Sequence, residues 1–459
     1  MSLFKKKRSM DNFFQAKRVA VIGAAKEEGK IGNVIFQNFL SLPFKGEVFA
    51  INPNTPEVMG YKTYKTIRDV PGKIDLAIIA IPSKFVIDAV HDCAKKGITE
   101  VVIITAGFKE TGNTKLDKEL QEILAKHKIK CIGPNCLGIW SSSGVDTLFL
   151  PRLRLKRPEK GGIAFVSQSG ALGAAILDLA AEEGFGFSKF ISYGNAMNTN
   201  ETDLIEYLGN DPETKVICLY VEGITDGKRF LEVCKRISKK KPIIAIKGGT
   251  SKKGSEATQS HTGSLAGQAE IYYGAFKQAG IIIAQDLEEM FDYLKIFDKI
   301  KIKPNGNKVQ VITNGGGYGI LATDSLEKYE LQMAEPLSST IKALQKTMPP
   351  IAVIKNPTDL LGDANTQRYK DTFNAYLHDK NVDIILAVIL PQTPLIDQNE
   401  LVKMLEEIHL SGKKPIITVA TGSEYAINLR KKIEEKGIPC FEFPNNAAKA
   451  IKALTSFFS

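Results

Sequence analysis

An α/β protein built from three parallel-sheet modules is what this sequence predicts, on three observations. Short β-branched runs alternate with longer amphipathic stretches almost throughout its 459 residues, the pattern of parallel strands joined by helices. That length exceeds one ordinary core and suits about three domains. A repeated opening is the third observation: Phe165–Gly173 and Val311–Gly319 each run from a strand through a glycine-bearing turn toward a helix. The expected order is a Rossmann-like first domain over residues 1–145, then two flavodoxin-like parallel-sheet domains over 146–300 and 301–459.

The first module's strands read Arg18–Ile22, Glu47–Ile51, Leu76–Ile81, Glu100–Thr105 and Lys130–Ile132. Each is followed by a glycine- or proline-bearing turn and a helical stretch. A basic, proline-containing linker runs from Pro151 to Pro158. The second module's strands are Ile163–Ser167, Lys189–Tyr193, Val216–Val221, Ile243–Lys247 and Gly280–Ala284. Lys299–Lys308, with Pro304 and Gly306, reads as a second linker; the strands beyond it are Val309–Thr313, Ile384–Leu390, Ile416–Ala420 and Cys440–Phe443.

Composition narrows the function classes. Apolar residues make up 43% and charged residues 24%, an ordinary soluble balance. No apolar run approaches the roughly 20 residues of a membrane span. The basic start Lys5–Arg8 has no apolar stretch after it, so it is no secretory signal and a cytoplasmic location is expected. The net charge of +10 favours anionic ligands, while no helix-turn-helix or aromatic RNA motif supports a nucleic-acid partner. None of the six cysteines forms a C-x-x-C pair, so no metal site is expected and reduced, buried thiols are.

The first glycine turn, Gly23 to Gly32, follows a strand and opens a helix, a setting in which backbone N–H groups receive a phosphate. Its spacing is not G-x-G-x-x-G, and the next strand ends in Asn52-Pro53, without the acid that holds a nicotinamide ribose. A nucleotide other than NAD is expected. The strand ends Ile81-Pro82 and Thr105-Ala106-Gly107 line the same crevice, and Gly133-Pro134-Asn135 forms a tight turn able to approach a small substrate.

His261 sits in a polar, glycine- and serine-rich loop after the strand Ile243–Lys247, where an imidazole offers a neutral nitrogen nucleophile. Glu222 ends the strand Val216–Val221 and faces the crevice; it either orients that imidazole or caps the following helix. Ser167-Gln168-Ser169-Gly170 closes a strand and opens a helix, forming a cradle for an anion. The Asn314–Gly319 turn lacks a partnering nucleophile and reads as structural. Gly249–Ser255 imitates a P-loop without its lysine, so no ATP site is recognisable on this chain.

In combination and order, the Gly23–Gly32 turn, Asn52-Pro53, Ser167–Gly173, Glu222 and Ser260-His261-Thr262-Gly263-Ser264 resemble the alpha subunits of ADP-forming acetyl-CoA synthetases. The first two modules are more distantly similar to succinyl-CoA synthetase, whose Gly-His-Ala-Gly core is replaced here by Ser260-His261-Thr262-Gly263. The resemblance implies a ligase, or acid–thiol ligase, that converts acyl-CoA, ADP and phosphate into carboxylate, ATP and CoA. It implies CoA at Gly23, Ala25, Ile31, Gly32, Asn52, Pro53, Ile81, Pro82, Thr105, Ala106 and Gly107, and phosphate at Ser167, Gln168, Ser169 and Gly170; the tight turn Gly133, Pro134 and Asn135 is where the acyl group is expected. His261 would be the phosphohistidine and Glu222 its support. A beta subunit with an ATP-grasp domain would carry ADP and Mg²⁺ in a hetero-oligomer such as a heterotetramer. The competing reading is a non-catalytic, CoA-binding regulatory protein; NAD-dependent and acyltransferase-fused readings fit less well.

Overall fold

The computed structural model describes residues 10–41, 43–256 and 269–459. His261, Ser260, Thr262, Gly263 and Ser264 lie outside the described residues. Twenty strands form three sheets among the described residues.

The first sheet contains β1 (Arg18–Ile22), β2 (Glu47–Ile51), β3 (Glu57–Val58), β4 (Tyr61–Tyr64), β5 (Leu76–Ile79), β6 (Glu100–Ile103) and β7 (Lys130–Ile132). Their order is β3-β4-β2-β1-β5-β6-β7, parallel throughout except for the β3–β4 hairpin. β5 and β6 are buried at every position, because helices cover both faces of such a sheet.

The second sheet contains β8 (Gly138–Ser141), β9 (Lys160–Ser167), β10 (Phe187–Ser192), β11 (Val216–Val221), β12 (Ile243–Lys247) and β13 (Ile282–Ile283), in the order β13-β12-β11-β9-β10-β8. β8 pairs antiparallel with β10. The sequence places this stretch in the first module, before the boundary at 145. Its four buried residues instead complete the second sheet's edge. Fully buried Asp146 accepts hydrogen bonds from Arg152 (2.9 Å) and Arg157 (3.0 Å), which holds the basic linker against β8's return. Side chains of both sheets share one buried cluster, in which Ile35, Phe36 and Ile132 join Ile139, Val166 and Ile191.

The third sheet contains β14 (Lys308–Thr313), β15 (Gln332–Met333), β16 (Val353–Ile354), β17 (Thr358–Asp359), β18 (Ile384–Ile389), β19 (Ile416–Ala420) and β20 (Cys440–Phe441). Its order is β16-β17-β14-β18-β19-β20, with β15 beside β14. The helix Gly316–Lys328 follows β14 as the helix Gly170–Glu182 follows β9, which is the repeated opening seen in sequence. Compact units divide between Gln285 and Asp286, ahead of the linker read at 299–308. The helix Leu287–Lys299 buries Met290, Leu294 and Phe297 and packs within the second unit on Pro444–Phe458.

No helix among the described residues is long and apolar enough to cross a membrane. All six cysteines are buried and free, with burial pushing the Cys136 and Cys440 thiols up to about 12.

Candidate active site

The first glycine turn is a backbone-to-backbone junction. Gly23 ends β1 with φ +97°, and its N–H donates to the Ile51 carbonyl at 3.0 Å. A Cβ on Gly23 would lie 2.3 Å from the Ala80 carbonyl oxygen, and one on Gly32 would lie 1.8 Å from that of Gly23. Only glycine admits this approach. Asn52 donates its amide to the Ala24 carbonyl (2.7 Å), and Asn33 donates to that of Ala25 (2.9 Å). The Asn52 side chain at the strand end therefore shapes the loop. Ile31, at the start of the helix Ile31–Leu40, stays 44% exposed at the crevice mouth.

A cleft of about 690 Å³ opens beside this turn. It brings together Ile31, Ile81, Pro82, Thr105 and Ala106 of the first domain, Asn135 of the tight turn, and Gln168, Ser169 and Gly170 of the anion cradle. Gly23, Ala25, Gly32, Asn52, Pro53, Gly107, Gly133, Pro134 and Ser167 are not on its lining. Gly23, Gly32 and Asn52 back the crevice, and Gly133 and Pro134 shape the turn. Ser167 donates its hydroxyl to the Ser169 carbonyl (2.6 Å), so it too builds the cradle from behind.

Asn135 stands at φ +57° after a cis Gly133–Pro134 bond, and its N–H donates to the Thr105 carbonyl at 2.9 Å. Its side-chain amide donates to Asn195 Oδ1 (3.3 Å), while Asn195 donates to Glu110 (2.6 Å) and its carbonyl accepts from Lys109 Nζ (2.8 Å). Burial pushes the Glu110 carboxyl up, but hydrogen bonds from the Gly107 N–H and the Asn195 amide outweigh it and hold the group below the usual carboxylate range. Sequence reasoning missed Lys109, Glu110 and Asn195. Their link spans 86 residues, and no local signal marks it.

At the carboxyl ends of second-sheet strands stand Gln168–Gly170, after β9 and on the cleft lining, and Glu222, after β11 and not on that lining. Ser169 caps the helix Gly170–Glu182 by accepting the Leu172 N–H at 3.4 Å. The unpaired first N–H groups of that helix make its start a natural anion site. Gln168 donates its N–H to the Tyr220 carbonyl at 3.1 Å. Its Oε1 accepts the N–H groups of Glu222 (2.8 Å) and Gly223 (3.2 Å). Cradle and carboxylate are thus built as one unit.

Glu222 is 5% exposed. It does not cap the following helix, because Asp226 does so by accepting the Arg229 N–H at 3.0 Å. Burial, then the Glu222 charge, push the Tyr220 hydroxyl up to about 12. Among the described residues no cluster of three metal-ligating groups occurs.

Three family models match the chain in succession. The chain matches the CoA binding domain family over residues 17–141, the succinyl-CoA ligase like flavodoxin domain over 160–297 and the Ligase-CoA domain over 309–456. It is 41% identical to the alpha subunit of acetate–CoA ligase [ADP-forming] II of Pyrococcus furiosus, covering 97% of each chain. It is 42% identical to the acetate–CoA ligase [ADP-forming] of Methanocaldococcus jannaschii, over 96% of this chain but 62% of that one. The solved dinucleotide-forming acetyl-coenzyme A synthetase 1 of Candidatus Korarchaeum cryptofilum, in complex with phosphate and ADP, aligns with a TM-score of 0.92 at 35% identity. That alignment covers 98% of this chain and 97% of the other.

Proposed function

The chain belongs to the ADP-forming acetate–CoA ligase family, and from that membership we propose that it is the alpha subunit of an acyl-CoA synthetase whose phosphoryl carrier is His261. The observation that supports this best is the shared cleft. The CoA-side residues Ile31, Ile81 and Thr105, the Asn135 turn and the Gln168–Gly170 cradle open onto one space, as a reaction joining thioester and phosphate requires.

In the direction of ATP formation, phosphate held at the start of the helix Gly170–Glu182 attacks the thioester carbonyl. The acyl–phosphate bond forms, the carbon–sulfur bond breaks, and CoA leaves as the thiolate. The His261 imidazole then takes the phosphoryl group, releasing the carboxylate, and passes it to ADP. Helix N–H groups suit the phosphate because their dipole faces its charge. Glu222 stabilises the imidazole as it gains positive charge, the usual service of an acid behind a histidine nucleophile. CoA, which is a substrate here, takes the first-domain crevice including Gly23, Ala25, Gly32, Asn52, Pro53, Pro82, Ala106 and Gly107. The acyl group lies against Gly133, Pro134 and Asn135.

The partner is proposed from the family. The chain covers 97% of the separate Pyrococcus alpha subunit but 62% of the single-chain Methanocaldococcus relative. By the organisation of alpha-subunit relatives, a beta subunit with an ATP-grasp domain would hold ADP and Mg²⁺, giving a heterotetramer. Three successive domains accompany this reading, as does a cytoplasmic location, which suits six free thiols. A CoA-binding regulatory protein would explain the first-domain crevice but not a buried carboxylate tied to an anion cradle.

Glu222→Gln keeps the shape and removes the charge. It is expected to lower the rate of ATP formation from acetyl-CoA, ADP and phosphate by about 10²–10³-fold, with KM for acetyl-CoA nearly unchanged. Steady-state kinetics with the beta subunit present checks this; a variant at full rate removes Glu222 from the mechanism.

A further inference from the structure

Around Glu222 the backbone is held from several directions, and two of the groups holding it have no assigned role. β11 pairs with β12 so that Val221 faces Lys247, and Glu222 follows at the end of that register. The Val221 carbonyl accepts the Gly248 N–H at 2.9 Å. Gln168 takes the next two N–H groups. The N–H of Ile224 then donates to the Tyr272 hydroxyl at 3.3 Å. Tyr272 lies on the helix Ala269–Gln278, and its ring is fixed edge-on against Phe276 at 6.1 Å.

The Lys247 ammonium stands over that ring, 4.6 Å from its centroid, and donates to the Gly248 carbonyl. Lys247 is 5% exposed. A lysine so buried is costly unless its charge is used. Burial lowers its pKa, while the negative charge of Glu222 pulls it back up. Gly248 adds to the fit, because a Cβ there would lie 2.4 Å from the Tyr220 hydroxyl.

We propose that Lys247 and Tyr272 are positioning residues for Glu222. Tyr272 fixes the turn that aims the carboxylate. Lys247 seats Tyr272 through the cation–π contact, so it acts on the carboxylate through that ring. The pair acts only through Glu222, so the inference rests on the functional reading above.

Three substitutions test it: Tyr272→Phe, which keeps the ring and loses the hydroxyl; Lys247→Met, which keeps the stem and loses the charge; and Lys247→Arg, which restores the charge and stacks on the ring. Each is assembled with the beta subunit. The assay is rapid-quench formation of ³²P-labelled enzyme from acetyl-CoA and labelled phosphate, with KM for acetyl-CoA and the thermal midpoint measured in parallel.

Tyr272→Phe is expected to slow labelling about tenfold. Lys247→Met should slow it about 10–100-fold, with Lys247→Arg recovering part of the loss. KM and thermal midpoint should stay at wild-type values in all three. Labelling at the wild-type rate in Tyr272→Phe and Lys247→Met overturns the proposal. So does a loss matched by a lower thermal midpoint and a raised KM, which marks a structural role. An unlabelled wild-type enzyme overturns instead the phosphohistidine reading on which the proposal stands.

Discussion

His261→Ala is expected to abolish ATP formation, lowering turnover by about 10⁴-fold or more. Alanine offers no nitrogen to carry the phosphoryl group. The other four histidines all lie in or at the ends of helices rather than in a glycine- and serine-rich loop: His91, His127, His378 and His409. Acetyl-CoA binding should be retained, because the residues assigned to CoA lie on and around the first sheet. Loss of turnover with unchanged acetyl-CoA affinity, measured by equilibrium dialysis beside steady-state kinetics, is the signature. A variant that still makes ATP at a tenth of the normal rate would place the phosphoryl carrier elsewhere.

Gly32→Ala is expected to damage the fold and CoA binding together. Its Cβ would lie 1.8 Å from the Gly23 carbonyl oxygen and 2.7 Å from the attached carbon. Both are backbone atoms at the tightest point of the crevice, so no flexible side-chain tip can move aside. Either the helix Ile31–Leu40 shifts away from β1 or the Gly23 turn deforms. Overpacking against fixed backbone should cost about 3 kcal/mol or more, seen as a lower urea midpoint with an unchanged slope, and KM for acetyl-CoA should rise. Gly227→Ala is the control: a Cβ there meets nothing within 4 Å, and its effect should stay within about 0.5 kcal/mol. Equal stability of Gly32→Ala and wild type would refute the packing account of the turn.

The strands of this fold were legible because parallel strands buried on both faces read as continuous apolar runs. Val216–Val221 and Ile416–Ala420 end where the sequence placed them. The Glu57–Tyr64 hairpin escaped notice because its two short strands are half exposed and lack apolar alternation. Gly138–Ser141 was missed because a glycine-led run of four residues resembles a turn until its antiparallel partner, Lys189–Ser192, is known.

The site divides in the same way. Ser167–Gly170, Asn135 and Glu222 are legible as candidates because they stand at or just after carboxyl ends of strands, where α/β sheets hold their ligands. Asn195, Lys109, Lys247 and Tyr272 were not found. Each gains its meaning from a contact made across the fold: Asn195 with Glu110, Lys247 with the Tyr272 ring, and Tyr272 with the Ile224 N–H. His261 was read from its glycine- and serine-rich surroundings and from family resemblance, and it lies outside the described residues.

The central claim is that phosphate enters through the thioester and is carried on His261. The most direct measurement incubates the assembled enzyme with acetyl-CoA and ³²P-labelled phosphate, without ADP, and follows the protein-bound label through acid and alkali. Label that is alkali-stable, acid-labile, absent in His261→Ala and discharged to ATP when ADP is added is the predicted result. No bound label in an assembly that still binds CoA and makes ATP would contradict the account.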